Sequence, residues 1–153
     1  MWDMLIVSKP MIDDMIKIAE ASPDKETCGL FLGNDKDEGL AEADEFYNVT
    51  NMVTDNSIDY IMEPQQQFDI LNKSKIYNKQ ADKDLVCIWH THPFGMPIPS
   101  HIDINRVSYN VVYMIYGMAT KQVKCWKFNK ELKGFQPVDL FVLGGEQNEI
   151  EPK

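Results

Sequence analysis

The sequence predicts an α+β domain in which helices pack against a curved, mostly antiparallel sheet. Residues 85–89 form a short apolar run of the length and composition of a buried strand. Apolar residues recur at helical spacing over residues 10–21 and again after Pro64. Residues 121–129 and 134–143 resemble the closing strands of an antiparallel meander. The order helix, strands, helix and strands therefore indicates the α+β class.

In the first half of the chain, one predicted helix separates a first strand from the next two strands. The sequence Ser8-Lys9-Pro10 is a helix-start signal, because proline is tolerated in the first turn. The amphipathic pattern that follows continues to about Ala21. Around this helix the sequence predicts a first strand at 2–7, strands at 28–32 and 40–49, and a hairpin-like loop at 33–39 rich in Gly, Asn and Asp.

The second half is predicted to complete the sheet. Residues 57–62 alternate in part and predict another strand, and Glu63-Pro64 then opens a second helix expected to reach about Ala81. The nearly unbroken apolar run at 111–116 is the best candidate for a central strand. We expect one domain over residues 1–145 and a polar C-terminal tail over residues 146–153.

Composition narrows the possible functions. A net charge of −9 and a pI of about 4.7 argue against nucleic-acid binding, because an acidic surface repels phosphate. No apolar run is long enough to span a membrane, and residues 1–7 lack the features of a signal peptide. Three cysteines without a CxxC spacing suggest buried thiols in a reducing compartment, so we expect a cytoplasmic protein. Nothing in the sequence specifies an oligomeric state.

All three histidines lie within one stretch, residues 89–103. His90 and His92 follow a predicted strand at positions i and i+2, so alternation points both imidazoles to the same face. After a proline-rich loop at 93–99, Ser100 can cap the next helix and Asp103 lies in its first turn. Two imidazoles and one carboxylate are the ligand set of a catalytic zinc, which leaves a fourth position for water.

Other kinds of site fit the histidine pair less well. An HxH pair alone is often incidental, but a proline-rich loop and a Ser and Asp at fixed spacing are hard to attribute to packing. A cupin-type site would need a Glu shortly after His92, and a metallo-β-lactamase-type site would need an Asp-His pair there; neither is present. A cysteine nucleophile is disfavoured because Cys87 lies three residues before His90, on the opposite face of the strand. His101 has no role in the zinc scheme and is expected at the surface.

The pattern of His90, His92, Ser100 and Asp103 resembles the JAMM motif of the MPN-plus zinc metallopeptidases. Glu26, in the segment Glu26-Thr27-Cys28-Gly29-Leu30-Phe31-Leu32-Gly33, matches the upstream glutamate of that motif. The resemblance implies a small, prokaryotic-type member with the MPN (cytidine-deaminase-like) fold. It further implies that both histidines and Asp103 bind zinc, that Glu26 acts as base and then acid, and that Ser100 supports the oxyanion. An MPN-minus scaffold, which lacks these ligands, is disfavoured.

The same resemblance implies a zinc-dependent peptidase or isopeptidase in which Glu26 activates a zinc-bound water. Its expected partners are ubiquitin-like or sulfur-carrier proteins, cleaved after a C-terminal Gly-Gly whose small residues let the backbone approach the metal. Two other functions stay open: a zinc peptidase or amidohydrolase acting on small peptides, and a non-catalytic MPN binding module. Glu26 argues against the binding module, because a structural zinc site closes its coordination and has no need of a base.

Overall fold

The computed structural model describes residues 2–55 and 57–144, so the predicted tail at 146–153 lies outside the described residues. Strands and helices in this part of the chain lie close to most of the predicted positions. In chain order they are β1 (Met4–Ser8), α1 (Lys9–Ala21), β2 (Cys28–Asp35), β3 (Leu40–Val49), α2 (Pro64–Leu71), β4 (Asp84–His92), α3 (His101–Asn105), β5 (Val112–Gly117), β6 (Gln122–Asn129) and β7 (Gly134–Leu143).

The strands form a closed barrel in the order β1-β3-β2-β4-β5-β6-β7. The α+β class is confirmed, but the sheet is a closed barrel rather than the expected curved sheet flanked by helices. Closure depends on β1, which pairs in parallel with β3 through Met4 and Leu40 and with β7 through Met4 and Asp139. Of the seven strand pairings, these two and β4 with β5 are parallel, and the other four are antiparallel. β4 is therefore held on both sides, by β2 and by β5.

Two apolar clusters divide the faces of the barrel. The interior cluster includes α1 through Ile12, Met15 and Ala19, whose spacing places them on one side of the helix. On β4, Cys87 and Trp89 belong to this cluster. The outer cluster joins α2 to the strands and consists of Cys28, Leu30, Leu32, Val49, Tyr60, Met62, Ile70, Leu71, Leu85, Ile88, Val111 and Tyr113. His90 lies on this outer face, because it stands two residues after Ile88 on β4 and side chains alternate along a strand.

The second helix is much shorter than predicted, because it ends at Leu71 rather than near Ala81. Ser74 accounts for the early end: its hydroxyl donates to the carbonyl of Leu71 and accepts from the amide of Ile76. Such side chain to backbone bonds compete with the helical ladder. Asn78 makes a similar local bond to the amide of Gln80.

Residues 57–62 do not form the predicted strand. The only ladder contact of this segment among the described residues is an isolated bridge between Asn51 and Met62. The amide of Ile61 donates instead to the side chain of Asn51. A side chain therefore takes the position that a neighbouring strand would have occupied. The hairpin loop is also shorter than expected, since β2 continues to Asp35.

The packing of β2 against β3 and β4 leaves no room for a side chain at Gly29. A Cβ atom there would overlap the carbonyl oxygen of Tyr47 and lie 2.5 Å from Nε1 of Trp89, whose indole donates to that same oxygen. We expect Gly29→Ala to destabilise the protein by about 1–3 kcal/mol, the usual cost of overpacking. Gly134→Ala is the matched control, because a Cβ at Gly134 meets its nearest neighbour at 3.8 Å. Urea denaturation of both variants tests this, and equal midpoints would contradict it.

Candidate metal centre

Three side chains converge at the end of β4, on the outer face of the barrel. The Nε2 atoms of His90 and His92 lie 3.1 Å apart, and each lies 3.0 Å from a carboxylate oxygen of Asp103. His90 and Asp103 are almost completely buried, whereas 12% of the His92 side chain is exposed. These three residues, which we call the triad, are the group of His, Cys, Asp and Glu side chains in the described residues that could hold a metal ion.

The two histidines share a face because β4 remains extended to its last residue. The strand is fixed beyond its ladder by Thr91, which faces away from the triad. The hydroxyl of Thr91 accepts from the amide of Thr27 at 2.9 Å, and its amide donates to the carbonyl of Thr27 at 3.0 Å. The ring of Tyr60 stacks on the ring of His90 with centroids 4.7 Å apart. The hydrogen bonds with Thr27 and the stacked ring of Tyr60 both limit rotation at the end of β4.

Asp103 reaches the histidines from α3 through a capping box. The Ser100 hydroxyl accepts from the amide of Asp103 at 3.1 Å, and the Asp103 carboxylate accepts from the amide of Ser100 at 2.8 Å. Ser100 caps the helix as expected. Because the hydrogen bond from the Ser100 amide holds the carboxylate at the start of α3, its oxygens point towards the imidazoles in a fixed orientation.

The proline-rich loop at 93–99 folds back against the barrel. Its Pro97 carbonyl accepts from the indole of Trp126 at 3.0 Å, and its Met96 carbonyl lies 2.8 Å from Nδ1 of His92. A Cβ atom at Gly117 on β5 would collide with the backbone of Pro97, so glycine permits this close approach. The loop thus orients the second imidazole, while its Phe94 side chain is 71% exposed.

The triad brings together three atoms that could bind a cation. Since the Met96 carbonyl can only accept, Nδ1 of His92 carries a proton, and Nε2 is the ring nitrogen that a metal would bind in place of a second proton. This Nε2 atom lies 3.1 Å from Nε2 of His90 and 3.0 Å from a carboxylate oxygen of Asp103. Atoms bonded to one zinc at about 2.0–2.1 Å lie a little over 3 Å apart, and zinc accepts both imidazole nitrogen and carboxylate oxygen. The donor set and its spacing therefore fit zinc.

Burial and mutual charge set the ionisation of these groups. Burial lowers the pKa of His90 and so favours the neutral imidazole, although the charge and hydrogen bond of Asp103 act in the opposite direction. Burial opposes ionisation of Asp103, but the charge and hydrogen bond of His90 and the hydrogen bonds from His92 and the Ser100 amide hold its pKa well below the usual range. Burial also opposes protonation of His92, yet the hydrogen bond and charge of Asp103 raise its pKa. A neutral imidazole and a charged carboxylate are the forms that bind metal.

Glu26 lies beside the triad. It lines one cavity of about 360 Å³ together with His92 and Ser100, between residues 57–58 and the start of the proline-rich loop. Glu26 is only 4% exposed, and its buried Oε1 has no hydrogen-bond partner among the described residues. Burial raises the pKa of Glu26 to about 8, although the charge of His92 acts in the opposite direction.

The remaining candidates lie elsewhere. His101 is exposed, as expected. All three cysteine side chains are buried, and burial raises the pKa of Cys28 to about 12 and that of Cys87 well above its ordinary value. Thiols that stay protonated are poor nucleophiles, which argues against cysteine chemistry. Within residues 2–55 and 57–144, no helix combines the length and apolar character needed to cross a membrane.

A family model described as prokaryotic homologs of the JAB domain matches residues 8–129. The chain belongs to this JAB family. The matched range includes Glu26, Ser100 and the triad, so the family expected from the JAMM motif is confirmed. The desampylase of Haloferax volcanii is 29% identical over 98 residues, which are 63% of this chain. The aligned region spans 66% of that relative, slightly less than two thirds of its length.

Two solved structures share the fold of this chain. The solution structure of a Desulfitobacterium hafniense protein matches with a TM-score of 0.75 and 19% identity, over 97% of this chain and 99% of that one. The solution structure of a Salinibacter ruber protein matches with a TM-score of 0.62 and 17% identity, over 96% and 94% of the two chains. At these identities the likeness shows the fold alone.

Sequence reasoning did not identify the residues that support this site. Asn51 contacts Glu26 and Tyr60 contacts His90, whereas Thr27 and Thr91 bind each other and so join the segment after Glu26 to β4. Alternation along β4 indicated that Thr91 faces away from the metal, but it carried no signal about Thr27. Asn51 follows shortly after β3, where an asparagine is an ordinary exit residue.

We expect zinc to stabilise the wild-type protein and the His101→Ala variant but not His92→Ala. Binding to the folded state alone adds about 2.7 kcal/mol when free zinc is 100 times the dissociation constant. Thermal denaturation with zinc and with EDTA measures the shift. An equal shift in His92→Ala and His101→Ala would place the metal elsewhere.

Glu26 should make the stability of the metal-free protein depend on pH. Its pKa is about 8 in the folded state and 4.5 as the ordinary value, so the unfolded chain releases the proton first and stability falls as pH rises between these values. Glu26→Gln should therefore be more stable than wild type by roughly 2–4 kcal/mol at pH 8.5 and nearly equal to it at pH 4.5. Urea denaturation in EDTA tests this, with exposed Glu131→Gln as control. A difference independent of pH would contradict the shift.

Proposed function

We propose that the chain is a zinc-dependent peptidase or isopeptidase that hydrolyses the bond after the C-terminal Gly-Gly of a ubiquitin-like or sulfur-carrier protein. His90, His92 and Asp103 would hold the metal, with Glu26 and Ser100 as the catalytic groups. The metallopeptidase domain would comprise residues 1–145. We place the protein in the cytoplasm because buried thiols suit a reducing compartment.

The main support for this proposal is the position of Glu26 beside the triad. A site that only stabilises the fold would saturate its metal with protein ligands and would not need a buried acid beside it. Here the triad offers three ligand atoms, and Glu26 borders the same cavity with a buried oxygen that no described residue satisfies. Leaving such an oxygen unpaired is costly, so it indicates a group kept for a ligand or for a reaction.

The chemistry follows from the proton-binding groups that border the cavity. Held by His90, His92 and Asp103, a zinc ion would lower the pKa of a bound water towards neutrality and would polarise a carbonyl. The Glu26 carboxylate accepts the proton of the attacking water and then delivers it to the nitrogen of the leaving amine as the carbon–nitrogen bond breaks. In the metal-free protein burial raises the pKa of Glu26, and a carboxyl group with a raised pKa binds the proton of the water more readily than an ordinary one.

Ser100 can support the charge that develops on the scissile carbonyl oxygen. Its hydroxyl oxygen already accepts from the amide of Asp103, and its hydroxyl proton has no acceptor among the described residues. That proton is available to donate to an oxyanion in the cavity that Ser100 lines. The capping box therefore both positions a ligand carboxylate and orients a donor.

The substrate class rests on the relative and on the cavity. The name desampylase describes removal of a ubiquitin-like modifier by the Haloferax volcanii protein. In the present chain, the cavity beside Glu26 is bordered by Ile58, Phe94 and Ile102. A Gly-Gly tail suits such a site, because its small residues let the substrate backbone approach the metal closely.

We predict that Glu26→Gln retains about one zinc per chain and loses cleavage of a ubiquitin-like protein fused through its Gly-Gly terminus to a reporter. Loss of a general base lowers the rate by about 10²–10⁴-fold. Glu131→Gln, which removes an exposed carboxylate on the β6–β7 turn, should cleave like wild type. Elemental analysis and reporter release measure the two effects.

Three outcomes would count against the proposal. Cleavage retained in Glu26→Gln would remove the glutamate from the mechanism. Equal turnover of short Gly-Gly peptides without a folded modifier would favour a small-peptide hydrolase. Stoichiometric zinc without cleavage of either substrate would favour a binding module.

A further inference from the structure

The outer wall of the cavity is an irregular segment, residues 51–55 and 57–62, which we call the rim. It leaves β3 and ends where α2 begins. Ser57 and Ile58 of the rim border the cavity, and Tyr60 stacks on His90. A segment with one isolated bridge needs other contacts to keep its shape.

The side chain of Asn51 provides those contacts. Its Oδ1 accepts from the amides of Val53 and Ile61, both at 3.0 Å. Its Nδ2 donates to the carbonyls of Glu26 at 3.1 Å and Asp59 at 3.0 Å. An asparagine amide has two donor hydrogens and two acceptor lone pairs, so every hydrogen-bonding position of this side chain is used.

One of these bonds reaches the peptide group that carries the proposed base. The Glu26 carbonyl and the Thr27 amide belong to the same planar peptide unit. Asn51 holds the carbonyl, and the Thr91 hydroxyl holds the amide at 2.9 Å. Thr91 lies between His90 and His92 on β4. The amide of this peptide unit is therefore bound to β4, and its carbonyl is bound to the rim.

The rim has a second attachment that does not involve Glu26. Arg106, just after α3, donates from Nη2 and Nε to the two carboxylate oxygens of Asp59 at 2.6 and 3.2 Å. This bidentate pair ties the rim to the helix that carries Asp103. Asn51 and Arg106 therefore share the task of holding the rim, but only Asn51 of these two touches the Glu26 peptide.

We infer that Asn51 is a positioning residue of the reaction: it fixes the Glu26–Thr27 peptide unit and thereby the place of the Glu26 carboxylate beside the triad. The inference deepens the proposed function and rests on it for its kinetic consequence. Its structural part, that Asn51 restrains this peptide unit, holds independently of what the enzyme cleaves.

Asn51→Ala tests both parts, with Arg106→Ala and Asn129→Ala as comparison variants. Asn129 is a matched control, because its side chain also fastens a turn, by bonds to Gln136 and to the amides of Glu131 and Leu132, at the far end of β6. We expect Asn51→Ala to keep about one zinc per chain and to lose roughly 10–100-fold in kcat on the Gly-Gly fusion, because small displacements of a catalytic group are costly. Arg106→Ala should raise KM with little change in kcat, and Asn129→Ala should change neither.

Amide hydrogen exchange supplies the readout that does not depend on activity. Thr27 should exchange about tenfold faster in metal-free Asn51→Ala than in wild type, and at the wild-type rate in Arg106→Ala and Asn129→Ala. Unchanged exchange at Thr27 in Asn51→Ala would overturn the inference, as would a kcat equal to that of Asn129→Ala. If wild type cleaves no Gly-Gly fusion, the proposed function fails, and exchange at Thr27 still decides whether Asn51 restrains the peptide.

Discussion

The carboxylate of Asp103, placed between two imidazole nitrogens, is the constraint on which the site depends. Each of its oxygens lies 3.0 Å from an Nε2 atom, and the two nitrogens lie 3.1 Å apart. With Nδ1 of His92 directed at a carbonyl, both Nε2 atoms are left facing the carboxylate. A cation at the centre would take the place of the protons between these atoms, and the N and O donor set favours zinc.

The rest of the chain keeps these atoms close together. β4 pairs with β2 on one side and with β5 on the other, so the two histidines sit on a strand that is not at an edge. The interior cluster with α1 stabilises the barrel, which leaves the outer face for chemistry. Helix α3 brings Asp103 to the strand end, and irregular segments bring Met96 and Glu26 there. Such a division between a rigid scaffold and loops that carry reactive groups is common among enzymes.

Local rules predicted the parts of the site that depend on neighbouring residues. Strand alternation correctly placed His90 and His92 on one face, and the Ser100 cap was recognisable from its spacing to Asp103. Contacts between distant segments were beyond those rules. The parallel pairing of β1 with β7 has no turn or motif to signal it, and the bond from Asn51 to Glu26 joins positions 25 residues apart. Local alternation also predicts a strand at 57–62 wrongly, because the bond from the Ile61 amide to the Asn51 side chain depends on a residue outside that segment.

X-ray absorption spectroscopy at the zinc edge of the zinc-loaded protein tests the central claim most directly. We expect four nitrogen or oxygen neighbours at about 2.0–2.1 Å, with the outer-shell scattering of two imidazoles. The fourth neighbour would be an oxygen that the triad does not supply. Sulfur neighbours at about 2.3 Å, or a shell without two imidazoles, would contradict the assignment of His90, His92 and Asp103 as the metal ligands.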